Sequence, residues 1–173
     1  PKTLQVRGRV QYRDDLGTFT TLLAHPIVND GTITNLGINF RRKGEVVVFD
    51  YPGASRERRL RARWTTSELP YIHSFGLTEN TALIIDHPLR VKTHRLLWSN
   101  RGLIDSFDWN PSRGTRLIAL DLQTGQVREH ETETLFCFHT AHAFETKDAI
   151  VLDLLAYDDA SIIPRLKLPA LLN

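Results

Sequence analysis

The 173-residue sequence has no methionine and a single cysteine, Cys137. One thiol cannot close an internal disulfide, and it excludes every thiolate cage as a metal site. Flanked by Phe136 and Phe138, Cys137 reads as a small buried hydrophobe rather than a nucleophile. No apolar run reaches the roughly 18 residues that a membrane-spanning helix needs. The opening "PKTLQVRGRV" also lacks the charged, apolar and small-residue order of a secretory signal. The expectation is an intracellular protein, cytoplasmic first and organellar second. Because the chain opens at Pro1, it reads as a piece of something longer. An excess of one charge sign is missing too, since 22 basic residues face 20 acidic ones. The one basic cluster, "SRERRLRARW" at 55–64, alternates like the solvent face of a strand, so no nucleic-acid partner is expected.

Sustained helical periodicity is the other absence. In its place come short runs rich in Val, Ile, Thr, Phe and Tyr, separated by turn signals: "LQVRGRVQY", "FTTLLAH", "TITNLGINF", "GEVVVFDYPG", "RRLRARW", "YIHSFGL", "TALIIDH", "TRLIALDL", "QVREHET", "TLFCFHT" and "DAIVLDLLAY". The class is all-β. "TRLIALDLQTGQVREHE" is the clearest hairpin, with Gln123-Thr124-Gly125 as its tight turn and Gly125 free to take a positive φ. Helix is confined to brief turns such as "SRERR" or "TSEL". Many short strands at close spacing suit a sandwich, barrel or propeller. No low-complexity linker divides the chain, so residues 1–173 form one continuous piece of β architecture.

Seven histidines are present: His25, His73, His87, His94, His130, His139 and His142. A lone histidine is more often structural than a ligand, but three of these fall within or at the ends of hydrophobic runs. His25 closes "TTLLAH" before Pro26, His73 lies in "YIHSFGL", and His139 follows "TLFCF". Burying an unsatisfied imidazole costs about 1–3 kcal/mol, and one shared metal would satisfy all three. Separations of 48 and 66 residues are too long for a zinc finger or an HExxH helix. Ligands so distant converge when each comes from a separate β unit aimed at a common axis, as in a propeller. His87, His94 and His130 sit beside Pro, Arg and Glu and read as surface residues.

Four stretches, "AHPIVNDGTITNLGINF", "YIHSFGLTENTALIIDHPL", "FDWNPSRGTRLIALDLQTGQV" and "FCFHTAHAFE", occur in the order of four motifs of the carotenoid cleavage oxygenases, and the chain resembles that family from about residue 8 to residue 155. The resemblance implies part of a seven-bladed β-propeller, about three to four antiparallel blades, with residues 1–173 as a single partial domain. It also implies an Fe(2+) held by four histidines, of which His25, His73 and His139 match three. The fourth would lie beyond Asn173. His142 stands where family members commonly have asparagine, while Glu79 and Glu145 match motif residues expected to serve as structural hydrogen-bonding groups.

All-histidine ligation suits Fe, Zn, Cu or Ni on ligand softness alone, so iron comes from the resemblance. The implied activity is a non-haem Fe(II) dioxygenase that uses O₂ to cleave a C=C bond of an apolar polyene, a carotenoid or apocarotenoid, or of a stilbene, into carbonyl products. The isolated chain is expected to be incomplete for that reaction. Two other readings remain open: a retinoid-type isomerohydrolase, and a catalytically inactive propeller remnant that binds partners. The resemblance leaves room for a peripheral membrane contact in the longer parent. Tyr71, Phe75, Phe138 and Phe144 are candidates for tunnel walls, with packing between blades as the commoner role.

Overall fold

A computed structural model describes residues 5, 6, 8–40, 43–91 and 103–172. The described part is antiparallel β structure, as the run pattern leads one to expect. In the first sheet, β3 (Thr32–Phe40), β4 (Gly44–Pro52) and β5 (Arg59–Thr66) form a meander, and the short β1 (Thr21–Leu22) and β2 (Ile27–Asn29) both pair with the free side of β3. Asp30 (φ 45°) and Gly31 (φ 73°) turn β2 into β3, because a two-residue hairpin of matching twist needs left-handed backbone at both positions.

The second sheet runs in the order β6 (Gly76–Leu77), β7 (Thr81–Asp86), β10 (Thr115–Asp121), β11 (Val127–Thr132). Its β10–β11 turn is the expected one: Gly125 takes φ 73°, and the Asp121 carboxylate accepts the backbone N–H groups of Gln123 and Thr124 at 2.9 and 2.7 Å. Two further hairpins complete the order, β8 (Leu89–Val91) with β9 (Phe107–Trp109), and β12 (Phe136–Glu145) with β13 (Ile150–Tyr157). Among the described residues helix is limited to single turns at Leu103–Ser106, Pro111–Arg113, Ile162–Arg165 and Leu168–Leu171. No described helix is long and apolar enough to cross a membrane.

One core joins the two large sheets. Leu36, Val46, Val48 and Trp64 from the first pack with Phe75, Ile84, Ile118 and Leu120 from the second. Every residue of β7 is buried, which is why "TALIID" reads as a continuous apolar run rather than an alternating one. The alternation expected for "SRERRLRARW" holds only from Arg61 onward, since Leu60 is 41% exposed and Arg58 is buried against Asp14. Ala62 and Trp64 are buried, while Arg59 and Arg61 reach Asp50 and Arg63 reaches Glu45, both on β4.

Three further expectations are corrected. Among its described residues "LQVRGRVQY" forms no strand, and Val6 and Val10 are exposed. Alternation specifies a strand only where a partner edge and an apolar face are available. "SRERR" and "TSEL" are not helical; they are a loop entering β5 and a bend leaving it. His87 is buried at 1% exposure rather than on the surface, because its polar neighbour Asp86 is itself buried, in contact with Arg90 and Arg116. His94 lies outside the described residues, and His130 is exposed as expected.

Candidate metal centre

The three candidate histidines come from three separate parts of the β structure, two from segments flanking strands and one from a strand. His25 sits in the break between β1 and β2, where Pro26 interrupts the backbone donors that would continue pairing. The break is anchored by Asn35 on β3, whose side-chain amide donates to Leu23 O at 3.1 Å while its Oδ1 accepts Leu36 N–H at 2.8 Å. His73 precedes β6. His139 lies on β12, which runs alongside β6.

Ser74 ties the second element to the third. Its hydroxyl donates to Phe138 O at 2.8 Å and accepts Thr140 N–H at 2.9 Å, and Thr140 Oγ1 donates to Phe75 O at 2.8 Å. These three bonds bracket His139 and fix it beside His73. The β12–β13 ladder also slips between Cys137 and Thr140, so that Phe138 and His139 together oppose one residue of β13. A bulge of this kind re-aims a side chain that strict alternation would place elsewhere.

The three imidazoles are thereby brought together. Their ring centroids are 4.8 Å apart for His25–His73 and 4.9 Å for each of the other two pairs. His25 Nε2 and His73 Nε2 are separated by 3.1 Å, and one ring nitrogen from each of the three residues falls within 4.8 Å of the others. Two nitrogens at about 2.1 Å from one ion and at right angles to each other lie about 3 Å apart, so the His25–His73 spacing suits a shared divalent cation. The widest separation, 4.8 Å, would have to close by about 1–2 Å for all three nitrogens to reach one ion. No carboxylate belongs to the group, so the donor set is neutral. Burial, and then the neighbouring His25 and His139, hold the His73 pKa below its ordinary value. His73 is therefore an unprotonated nitrogen donor at neutral pH.

His142 is not part of this group. It borders the same cleft, a space of about 370 Å³ whose wall also includes His25, His139, Asn29, Ile27 and Leu77, and its ring packs 5.4 Å from Phe144. Glu145 has the structural role expected of it. It accepts hydrogen bonds from Thr78, from Asn80 at 3.0 Å and from Thr81 at 3.0 Å, and these hold its pKa below the usual range, Thr78 contributing most. Glu79 is exposed. Of the aromatic candidates, Phe75 is wholly buried in the core, Phe138 packs on Phe136 and Tyr157 and lies 5.2 Å from the His73 ring, and Tyr71 packs on Phe107 with its hydroxyl 2.9 Å from His73 Nδ1. Phe144 is 39% exposed. Sequence reasoning missed Ser74, Thr140 and Asn35. The "HSFG" stretch contains Ser74, but no periodicity marks a hydroxyl as a clasp between two distant segments.

Similarity to known proteins extends over the chain as a whole. The whole chain, residues 1–173, matches the family described as retinal pigment epithelial membrane protein (RPE65). The carotenoid isomerooxygenase of Galleria mellonella is 30% identical over 99% of this chain and 36% of its own length. The carotenoid cleavage dioxygenase 8 homolog A of Oryza sativa subsp. japonica, a chloroplastic protein, is 34% identical over 99% of this chain and 32% of its own. The chain thus spans about a third of the length of the curated relatives it matches. Among solved structures, cobalt-substituted Synechocystis ACO superposes with a TM-score of 0.68 at 22% identity, covering 79% of this chain and 30% of that one. An ACO/RPE65 chimera gives 0.67 over the same shares. At that identity the superposition speaks for the fold, and the fold is the propeller type that the strand pattern and the convergence of distant residues suggest. With the family match running from the first residue to the last, the chain belongs to the RPE65 family of carotenoid cleavage oxygenases.

Proposed function

We propose that this chain carries the iron-binding part of a non-haem Fe(II) oxygenase acting on a C=C bond of a carotenoid or apocarotenoid. The observation that supports it most is the meeting of His25, His73 and His139, drawn from three separate parts of the β structure and 114 positions of sequence, at one point. Residues that far apart do not come within 4.8 Å of one another through local folding preference. The substrate class follows the relatives, which are a carotenoid isomerooxygenase, a carotenoid cleavage dioxygenase and a human beta,beta-carotene 15,15'-dioxygenase. That a structure of the same fold is described as cobalt-substituted supports metal binding by a protein of this fold.

Iron(II) held by the three imidazoles would supply the activation of O₂ that splits a conjugated double bond into two carbonyl groups. The chain's own share is positional. Ser74 and Thr140 hold His139 against His73, Asn35 holds the His25 loop, and burial keeps His73 neutral and able to donate. A neutral ligand set leaves the ion its full charge, which favours an electron-rich partner over a cationic one. The cleft beside His25 and His139 offers a flank where an apolar chain can lie on Pro26, Ile27 and Leu77.

A second reading is an isomerohydrolase, in which bond isomerisation with hydrolysis replaces oxidative cleavage; that relatives carry the name isomerooxygenase supports isomerisation as a chemistry of such proteins. The two are separated by the fate of labelled oxygen. A cleavage oxygenase built on this centre transfers ¹⁸O from ¹⁸O₂ to the carbonyl products, and an isomerohydrolase takes its oxygen from water. The compartment also widens beyond the cytoplasm, since relatives are named as chloroplastic and mitochondrial.

A further inference from the structure

β1 is too short to hold its own place. It pairs with β3 at two positions, Thr21 with Ile38 and Leu22 with Gly37, and Leu23 adds a backbone bond to Leu36 O at 3.2 Å. An edge element with so few ladder bonds opens far more readily than a core strand, yet His25 follows three residues after it. We propose that Arg58 is a positioning residue for His25: it locks residues 12–19 as a strap across the outer face of the first sheet, and the strap keeps β1 on the edge of β3. What this does for metal binding rests on the metal reading above.

The strap covers a face that the core does not use. In β4, Val46 and Val48 belong to the core, so Phe49 and Tyr51 emerge on the opposite side. Phe49 is nevertheless 1% exposed. Phe19 stacks on it with centroids 5.4 Å apart and planes 7° from parallel, and Tyr12 meets Tyr51 edge-on at 5.9 Å. Gly37, opposite Leu22 in the ladder, is the seat for the Phe19 ring, since a Cβ added there would lie 2.4 Å from it. The ring that ends the strap therefore rests on a residue that pairs with β1. Between them Thr20 N–H donates to Asn39 Oδ1 at 3.3 Å.

Arg58 joins the strap to the sheet along its whole length. Its Nε and Nη2 donate to the two oxygens of Asp14 at 2.9 and 2.7 Å, and Nη2 also donates to Gly17 O at 2.7 Å. Its backbone N–H donates to Asp14 Oδ2 at 2.8 Å. The guanidinium carbon lies 4.2 Å from the Tyr12 ring centroid, 5.1 Å from that of Phe19 and 5.5 Å from that of Phe49. A planar fork that also stacks on aromatic faces makes these contacts at once, which an ammonium cannot. The two charged side chains are 4% and 7% exposed. Separating them leaves an uncompensated charge in the interior unless the strap lifts off as a whole. Undocking is thus all-or-none, and the segment that leaves is continuous with β1.

Two variants lift the strap by different chemistry. Arg58→Met removes the fork and keeps the side-chain length, whereas Gly37→Ala leaves the ion pair and expels Phe19. Should Arg58→Met fail to fold, Asp14→Asn, which keeps the shape and removes the charge, takes its place. Amide hydrogen exchange is followed in the metal-free chain, and Zn(II) affinity by competition against a chromophoric chelator. The expected result in both variants is protection at Leu23 that falls relative to Ile118 and Leu120 on β10. Zinc affinity should drop by about 2- to 30-fold, the range that remote substitutions give. Protection unchanged, or falling equally at all three amides as in a general destabilisation, would overturn the proposal. So would an unchanged zinc affinity, or an effect of Gly37→Ala with none of the Arg58 or Asp14 variant, which would leave the strap's hold to Phe19 alone. Failure of the wild-type chain to bind zinc would instead defeat the metal reading, and the exchange result would still decide whether Arg58 holds β1.

Discussion

Acid should destabilise this protein through His87, and the size of the effect follows from its surroundings. The imidazole is 1% exposed, packed edge-on against Phe136 at 4.9 Å, with Nδ1 unpartnered and a hydrogen bond to the Cys137 backbone. Burial first, and then the positive charge of Arg90, lower its pKa from 6.5 to about 3. Because the folded value lies below the unfolded one, the unfolded chain takes up a proton that the folded chain refuses. Stability is therefore fully present above about pH 6.5 and is lost as pH falls toward 3. Between pH 7 and pH 5 the folded histidine stays neutral, so the loss is set by the unfolded state alone: about 0.7 kcal/mol by pH 6 and about 2 kcal/mol by pH 5. Urea denaturation of the metal-free chain at pH 7, 6 and 5 measures it. His87→Gln, which can still donate toward the Cys137 carbonyl but does not titrate, subtracts every other group, including His73, whose lowered pKa acts with the same sign. The variant should lose about 2 kcal/mol less than wild type over that interval. Equal losses would refute the claim that His87 is buried and neutral.

The remaining predictions concern single contacts. Asp14→Ala should cost about 3–5 kcal/mol in urea denaturation, because it strands Arg58, whose side chain is 4% exposed and bonded to Asp14 through both Nε and Nη2. Gly76→Ala should cost about 1–3 kcal/mol and weaken metal binding as well. An added Cβ would lie 2.6 Å from Leu152 Cδ1 and 3.2 Å from Ala143 Cβ, forcing β12 away from the strand that follows His73. Ser74→Ala should lower metal affinity more than it lowers the unfolding midpoint, since its two bonds to the Phe138–Thr140 segment fix His139. His142→Asn should leave zinc affinity unchanged, because His142 stands outside the ligand group; a loss of binding would make it a ligand.

Much of the fold was legible because its signals are local. Alternation in β5 from Arg61 onward, the continuous apolar run of β7 and the Gly125 turn each reflect a few neighbouring residues. The three histidines could be singled out by their places in hydrophobic runs, and the family resemblance supplied their grouping. The parts that were not legible depend on distant partners. "LQVRGRVQY" alternates as well as any strand yet forms none among its described residues, since nothing in a sequence marks the absence of a partner edge. His87 looked exposed because it stands beside Pro88, and the arginine that lets its other neighbour, Asp86, be buried from a neighbouring strand, Arg116, is 30 positions away from Asp86. Strand β2 was missed although Asp30-Gly31 is a strong hairpin signal, because its three residues are too few to show a period. The slip that aims His139 at the cluster is a property of β12 and β13 together and appears in neither alone.

The central claim is that His25, His73 and His139 hold one ion. Its most direct test is to load the chain with Fe(II) without oxygen, remove unbound metal by desalting, and measure iron per chain in wild type and in His25→Ala, His73→Ala and His139→Ala, with circular dichroism to confirm that each variant keeps its β structure. The prediction is one iron per wild-type chain and a severe loss in every folded variant. Iron retained equally by all three variants, or absent from wild type, would contradict it.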